Sequence, residues 1–456
     1  MITPDSKSGA QAWVDAYHDM QPASVQPLPL KSGALQGALV VEYPFDHRFE
    51  SLHIVYDGVN GQLPNLDLFN TAVSIAGGQM GIGASLQEMW DHDDSYQMRL
   101  QTILRGMLKQ GFGYATGAHS SFMPYHIDAI TLQTKGEGWQ DEMALGRTVE
   151  SLCRSLNNLL EHLHQSFFFY LLMQANRFVS IGTYLPSAML IAVNFTIMAI
   201  ALWMRTGYYT GEPGLRAEVK DEKAIKELGQ EKQDTNKETP KESTRVQERQ
   251  LALPLTFVVG LHLLGLIPLY LFNNLPHEVS PLLSLHPSLL TKNQYFTLTT
   301  NTTILANLFL PFLLSTLLTK GPSRPPTSQH YHLIKSFSLL LLGLFLSTLA
   351  TLNFSLSFMI GLFCCPLTFI GRISPQTSNS LRYALSALGL LLLNILSPPV
   401  VLLAGCWYKG VSVETVLTEA AFGWGVWGMW TQVVVWCVWW PAWLIGGTLL
   451  GASLVG

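Results

Sequence analysis

The stretch SFSLLLLGLFLSTLATLNFSLSFMIGLFCCPLTFIG, residues 336–371, contains no charged side chain. About 20 apolar residues cross a ~30 Å hydrocarbon core, so this run is long enough to cross twice. Its turn signal is at Asn353–Ser355, which predicts a tight helical hairpin. Working outward, the same pattern predicts seven spans, at roughly 180–203, 251–273, 295–319, 336–353, 354–371, 383–407 and 421–450. Pro268, Pro311, Pro366, Pro398, Pro399 and Pro441 fall inside these segments or near their ends. Neighbouring helices can re-satisfy the carbonyls that a proline frees.

Charge follows the same division. Residues 1–203 carry 10 Lys/Arg and 18 Asp/Glu, residues 204–250 carry 10 of each, and residues 251–456 carry 7 and 3. Of 456 residues, 48% are hydrophobic and 13% charged, about half the charge of an ordinary soluble domain. A disordered chain and a nucleic-acid binder are excluded, and the composition argues against a purely soluble enzyme. Five cysteines without a CxxC pair are too few for a disulfide scaffold and argue against a cysteine metal site.

Loops 204–250, 320–335 and 372–382 hold 10, 3 and 2 Lys/Arg, whereas the alternate loops hold Lys292 and Lys409. The excess of basic residues places the first set in the cytosol. Residues 1–179 then face the lumen or the cell exterior, and the C-terminus faces the cytosol. The start, MITPDSKSGAQAWVDAYHDM, has neither the basic nor the apolar region of a signal peptide. A translocated domain of this size needs such a segment, so a further span is expected upstream of this sequence. Loop 204–250, with balanced charge and Pro240, reads as a solvated linker, with a short helix possible at 216–230.

In the front part, residues 35–43 and 51–57 read as buried strands, and Asp57-Gly58 and Asn60-Gly61 mark turns. A first helix is expected at 10–18. Residues 65–76 are helical with Asn65 as N-cap and Gly77 just past the end, and residues 96–110 with Ser95 as N-cap and Gly111 past the end. Residues 126–134 alternate like a strand. This order suggests an α/β sandwich with strands missing before the first helix. Leu145, Val149, Leu152, Leu156, Leu159 and Leu163 then form one helical stripe. That helix, within 140–179, is expected to continue through Phe167–Leu172 and to reach the lipid surface as an interfacial element.

Possible chemical sites are weak. Asp91-His92-Asp93-Asp94 reads better as an acidic start to the helix near 96 than as a metal cluster. His119-Ser120-Ser121 with Tyr125-His126 reads better as a polar turn than as a nucleophile and base. No GxSxG, HExxH or P-loop motif occurs, and GGQMGIG at 77–83 lacks the setting of a nucleotide site. No cofactor is implied. His262 is the one Asp, Glu, His, Lys or Arg well inside a span, which argues against a coupled transporter. Asn194, Thr196, Asn301, Thr302, Thr303, Asn307 and Asn394 are expected to hydrogen-bond between helices. The sequons at Asn194, Asn301 and Asn353 lie in spans or at the membrane face and are not expected to carry glycans.

Five stretches carry a family resemblance: DGVNGQLPNLDLFN at 57–70, LNNLLEHLHQSFFFYLL at 156–172, RFVSIGTYLPSA at 177–188, TLNFSLSFMIG at 351–361, and Pro441-Ala-Trp-Leu444. They resemble the glycosylphosphatidylinositol-anchor-attachment (Gaa-type) subunit of GPI transamidase. The resemblance implies a multi-pass protein of the endoplasmic reticulum membrane whose lumenal domain is similar to zinc aminopeptidases. Residues 1–150 would then be a partial domain of that kind, followed by the interfacial helix at 140–179, a span at 180–203, the cytosolic linker at 204–250 and six further spans at 251–456. No metal ligand can be carried over residue by residue. The resemblance also implies a non-catalytic role beside a separate cysteine-protease-like subunit, with the GPI lipid and the proprotein as partners. A zinc-dependent enzyme forming the amide itself and a lipid-handling or transport protein are the rival readings.

A GPI head group needs polar contacts beside an apolar slot. His164, Gln165 and Ser166 end the polar part of the predicted helix, and Arg177 is placed to pair with the lipid phosphate. Tyr184 is expected at the same level, with Pro441 kinking the last span to open the slot.

Overall fold

The computed structural model describes residues 6–23, 25–43, 48–158, 168–207, 248–274, 292–321, 326–374 and 376–455. The linker between 208 and 247, with its predicted short helix, lies outside them.

The front part is a mixed α/β unit. Helix α1 (Ser6–Tyr17) precedes strands β1 (Gly37–Glu42) and β2 (Phe49–Val55). Helix α2 (Leu66–Val73) is followed by β3 (Gly83–Ser85), α3 (Tyr96–Phe112), β4 (Asp128–Gln140) and α4 (Glu142–Asn157). The sheet order is β1-β4-β2-β3. β1 runs parallel to β4, β2 antiparallel to it, and β3 parallel to β2. Ile54, Tyr56, Phe69, Ile130, Leu132 and Leu152 close one core between this sheet and its helices.

The helix starts follow the cap chemistry in the sequence. The Asn65 side chain accepts from the Asp67 amide, and Ser95 accepts from the Met98 amide. The helix ends differ from expectation. α2 passes into a π-helical turn at Ser74–Gln79 instead of stopping at Gly77, and α3 runs on to a left-handed cap at Gly113. The predicted continuation of α4 through Phe167–Leu172 is not helical where it is described. Tyr170–Gln174 is β5, paired antiparallel with β6 (Arg177–Ser180). Tyr170 and Leu172 enter the sheet-domain core, and the Tyr170 hydroxyl donates to the Pro64 carbonyl at 2.9 Å. The end of the run expected at the interface is therefore used, from Tyr170 on, as half of a hairpin.

The second part is helical: α5 (Ile181–Arg205), α6 (Ala252–Asn273), α7 (Lys292–Lys320), α8 (Ser328–Leu352), α9 (Phe354–Cys364), α10 (Asn379–Ile395), α11 (Pro398–Lys409), α12 (Val413–Trp427) and α13 (Thr431–Val455). Five of them are long and apolar enough to cross a membrane, and α10 with α11, bent by 52°, makes up to six. Among the described residues five or six helices thus match the seven predicted segments in length and apolarity. The apolar helix at Phe354–Thr368 is shorter, about 22 Å at 1.5 Å per residue. The segment predicted at 421–450 is two helices, because the left-handed Gly428 ends α12 before α13 begins.

The hairpin around Asn353 is present, and Ser357 Oγ donates back to the Leu346 carbonyl at 2.7 Å. Gly447 and Gly451 let α13 approach Pro311 and Ser315 of α7 closely. Of the polar span residues, Asn307 bonds between helices, accepting from Trp440 Nε1 at 2.8 Å. Thr196, Thr302, Thr303 and Asn394 instead bond to carbonyls of their own helices. His262 does the same, on Val258.

Candidate functional site

The signature at 57–61 lies where the sheet domain meets the helices. Asn60 adopts a left-handed conformation (φ 59°), which asparagine tolerates better than most residues. That conformation turns its side chain toward the gap between α12 and α13. Asn60 Nδ2 donates to the Gly428 carbonyl at 3.1 Å, and Asn60 Oδ1 accepts from the Trp430 amide at 2.9 Å. Its neighbour Gly61 has φ 78°, and an added Cβ would lie 2.5 Å from Asn353 Nδ2. Both the conformation and the space demand glycine there.

Asn353, at the tip between α8 and α9, answers from the membrane side. Its Nδ2 donates to the Asn60 carbonyl at 3.0 Å and to the Gln110 carbonyl at 2.8 Å. Its Oδ1 meanwhile caps α9 by accepting from the Leu356 amide at 3.0 Å. Ser355 Oγ donates to Gln110 Oε1 at 3.1 Å, and Thr431 Oγ1 donates to the Phe112 carbonyl at 3.1 Å.

Behind the joint is a buried polar cluster. Gln110 Nε2 points to Asp57 Oδ1 at 3.5 Å, and Gln87 Nε2 donates to Asp57 Oδ2 at 2.6 Å. Burial pushes the Asp57 carboxyl up to about 6, while the Gln87 amide, Lys109 and the Gln110 amide pull the other way. His119 Nε2 lies 3.1 Å from the Asp57 carbonyl and Nδ1 lies 2.8 Å from Thr131 Oγ1. Burial pushes this imidazole down to about 4, so it is neutral, with Nε2–H donating and Nδ1 accepting. Asp57 is 1% exposed and His119 is fully buried. The cluster is closed to solvent, and Gln110 links it to the joint.

Of the predicted site residues that are described, Arg177 and Tyr184 lie at the hairpin and first turn leading into the helical part, while Pro441 lies deeper, in α13. His164, Gln165 and Ser166 lie outside the described residues. Arg177 opens β6, half exposed, and pairs with Asp94 at 3.1 Å. Tyr184 is in the first turn of α5, its ring 4.5 Å from that of Phe354. Pro441 is buried in α13, about ten residues past Thr431 and thus about 15 Å farther along that helix from the joint. Asp93 accepts from the Ser95 amide and Asp94 also lies near Arg99, so that acidic run organises the start of α3. Among the described residues no group of three or more His, Cys, Asp or Glu side chains could hold a metal. Asn60, Gln110 and Asn353 are missed as site residues by the sequence reading. The signals are an Asn-Gly turn, a helix-end amide and an asparagine between two spans, and none of them names its partner.

A family model described as "Gaa1-like, GPI transamidase component" matches residues 1–447. The chain belongs to the Gaa1-like family. It is 31% identical over 378 residues to the GPI transamidase component gaa1 of Schizosaccharomyces pombe, covering 81% of this chain and 54% of that protein. It is 34% identical over 214 residues to the GPI transamidase component GAA1 of Saccharomyces cerevisiae, covering 46% of this chain and 34% of that protein. The chain thus spans about half or less of the length of these relatives. As a Gaa1-like protein it has several membrane-spanning helices, and the motif at 57–61 is where its sheet domain is fastened to them.

Proposed function

We propose that this Gaa1-like chain acts as a non-catalytic subunit of an endoplasmic reticulum GPI transamidase. It would help to bind GPI and the proprotein and organise the complex around a cysteine-protease-like subunit. The family match over residues 1–447 carries this reading. The joint supports it physically, since a domain fixed against membrane helices can hold a lipid and a protein in one frame. The sheet domain, read as part of an aminopeptidase-like fold, faces the lumen, and the linker and the C-terminus face the cytosol. Tagged chain purified from membranes is expected to bring down the cysteine-protease-like subunit, and its absence would refute the assignment. A cysteine placed at Gln230 should react only with reagent on the cytosolic side.

GPI contacts are proposed at His164, Gln165, Ser166, Arg177 and Tyr184, with Pro441 acting at a distance by shaping the last span. Arg177 is half exposed and pairs with Asp94, so a lipid phosphate would share or compete for its guanidinium. GPI recovery with an assembled Arg177→Ala or Pro441→Leu chain is expected to fall. Parental recovery in both removes the site.

A further inference from the structure

Helix α3 carries a row of large apolar side chains that its own fold does not cover. Tyr96, Leu100, Leu104, Leu108 and Phe112 recur every fourth residue and are 73%, 42%, 49%, 40% and 55% exposed. Single exposed apolar residues are ordinary, but Leu100, Leu104 and Leu108, within about 80° of one another at 100° per residue, mark an interaction surface, with Tyr96 and Phe112 at its edges. The opposite side is occupied, with Thr102, Gly106 and Gln110 buried against the sheet domain.

Both ends of α3 are tied to the level at which membrane helices begin. At its start, Asp94 pairs with Arg177, the first residue of β6, which leads over four residues, about 13 Å of extended chain, into α5 at Ile181. At its end, the carbonyls of Gln110 and Phe112 accept from Asn353 and Thr431, at the starts of α9 and α13. The Tyr184 and Phe354 rings, 4.5 Å apart, put the first turns of α5 and α9 side by side at one depth. A helix of 17 residues, about 25 Å long and tied near that level at both ends, runs across the start of the membrane helices and not down alongside them.

The direction of the row follows from Gly111, which packs onto α9. A Cβ there would lie 1.9 Å from Met359 Cε and 3.6 Å from the Leu356 amide. Leu104 and Leu100 precede Gly111 by about two and three turns, within ~20° of the same direction at 100° per residue. They leave α3 on the face that sits on α9, beyond the point where that short helix supports it. Arg105 and Lys109 turn the other way, bonding the carbonyls of Gln87 and Glu88 and the Glu88 carboxylate. An apolar side toward the membrane level and a cationic side toward the domain is the build of an in-plane helix.

We propose that α3 is an interfacial helix whose row of Leu100, Leu104 and Leu108 rests on the lipid surface beside α5 and α9. The occupant is lipid because the row continues a face already seated on a membrane helix at membrane level. This holds whatever the complex acts on.

The test places photoreactive p-benzoylphenylalanine at Leu104 or, in a second chain, at Leu100. The full chain stays in its own membranes, which are loaded with an alkyne-tailed phosphatidylcholine. Glu150, exposed on α4, is the reference position. Lipid adducts at Leu104 and Leu100 are expected at more than about ten times the Glu150 level, the partition that burying one leucine-sized side chain supports. Lipid labelling no higher than at Glu150 overturns the proposal. So does an adduct to a second polypeptide in place of lipid. The side chains at Leu100 and Leu104 are partly exposed, so either chain can stand in if the other is degraded.

Discussion

Asn353 does two jobs with one amide: its oxygen caps a helix and its nitrogen fastens another domain. Asn353→Ala removes the cap and two bonds, at about 1 kcal/mol each, so a loss of about 2–3 kcal/mol is expected. Faster amide hydrogen exchange at 108–113 is the readout, and unchanged exchange there would mean that the joint does not depend on it. Asp57 makes a separate, pH-dependent prediction. Its folded pKa of about 6 lies above its ordinary 3.8, so its contribution is full below 3.8 and is lost as pH rises through about 6. The buried charge then costs about 3 kcal/mol above that range. Asp57→Asn resembles the protonated acid, so its melting temperature relative to the parent should rise between pH 4 and pH 7. A flat difference would show that this carboxyl is not what titrates. His119 and His53, both pushed down to about 4 mainly by burial, add stability above pH 6.5 that fades as pH falls through 4. That effect is common to both chains and cancels in the comparison. At this scale the sequence shows the turn at Asn60-Gly61 and the caps at Asn65 and Ser95. A cap is a contact between near neighbours, whereas Asn60 with Trp430 is a contact that only folding creates.

Among the elements, local signals predict what local forces decide. Strands β1, β2 and β4 and helices α2 and α3 are readable because their apolar periods and cap residues lie inside each segment. The hairpin of β5 and β6 is not, since Tyr170, Leu171 and Leu172 are equally apolar as helix or strand, and pairing with Arg177–Ser180 decides. The spans are readable by hydropathy, but their ends are set by backbone. Pro398 and Pro399 separate α10 from α11, and Gly428 separates α12 from α13. Gly428→Val forces a β-branched residue to φ 63°, a cost of about 1–2 kcal/mol or more. It also displaces the carbonyl that Asn60 Nδ2 uses. A lower melting temperature together with faster exchange around Asn60 is expected. A lower melting temperature with Asn60 unaffected would separate the helix cap from the joint.

Considered as a whole, the molecule has a sheet-domain core and a helical core that meet through polar contacts around Asn60 and Asn353 and through a small apolar cluster of Val59, Ala115 and Met429. Gly447 lies about 24 Å along α13 from Thr431, so a change there should act independently of the joint. Gly447→Leu would push against Pro311, which a Cβ already meets at 3.1 Å, at about 1–3 kcal/mol. Its effect on melting temperature should add to that of Asn353→Ala, and clear non-additivity would mean that the two cores are coupled. The sheet domain is attached at β6 leading into α5, at the α8–α9 tip, and at the break before α13. Among the described residues this is, in mechanical terms, a platform on three legs, each leg a different helix. A platform on one leg swivels and on two it rocks, but on three it tilts only when the legs themselves shift. Any sliding of α13 against α5 would therefore be delivered to the sheet domain as a change of tilt, making the domain a pointer for rearrangements within the bilayer.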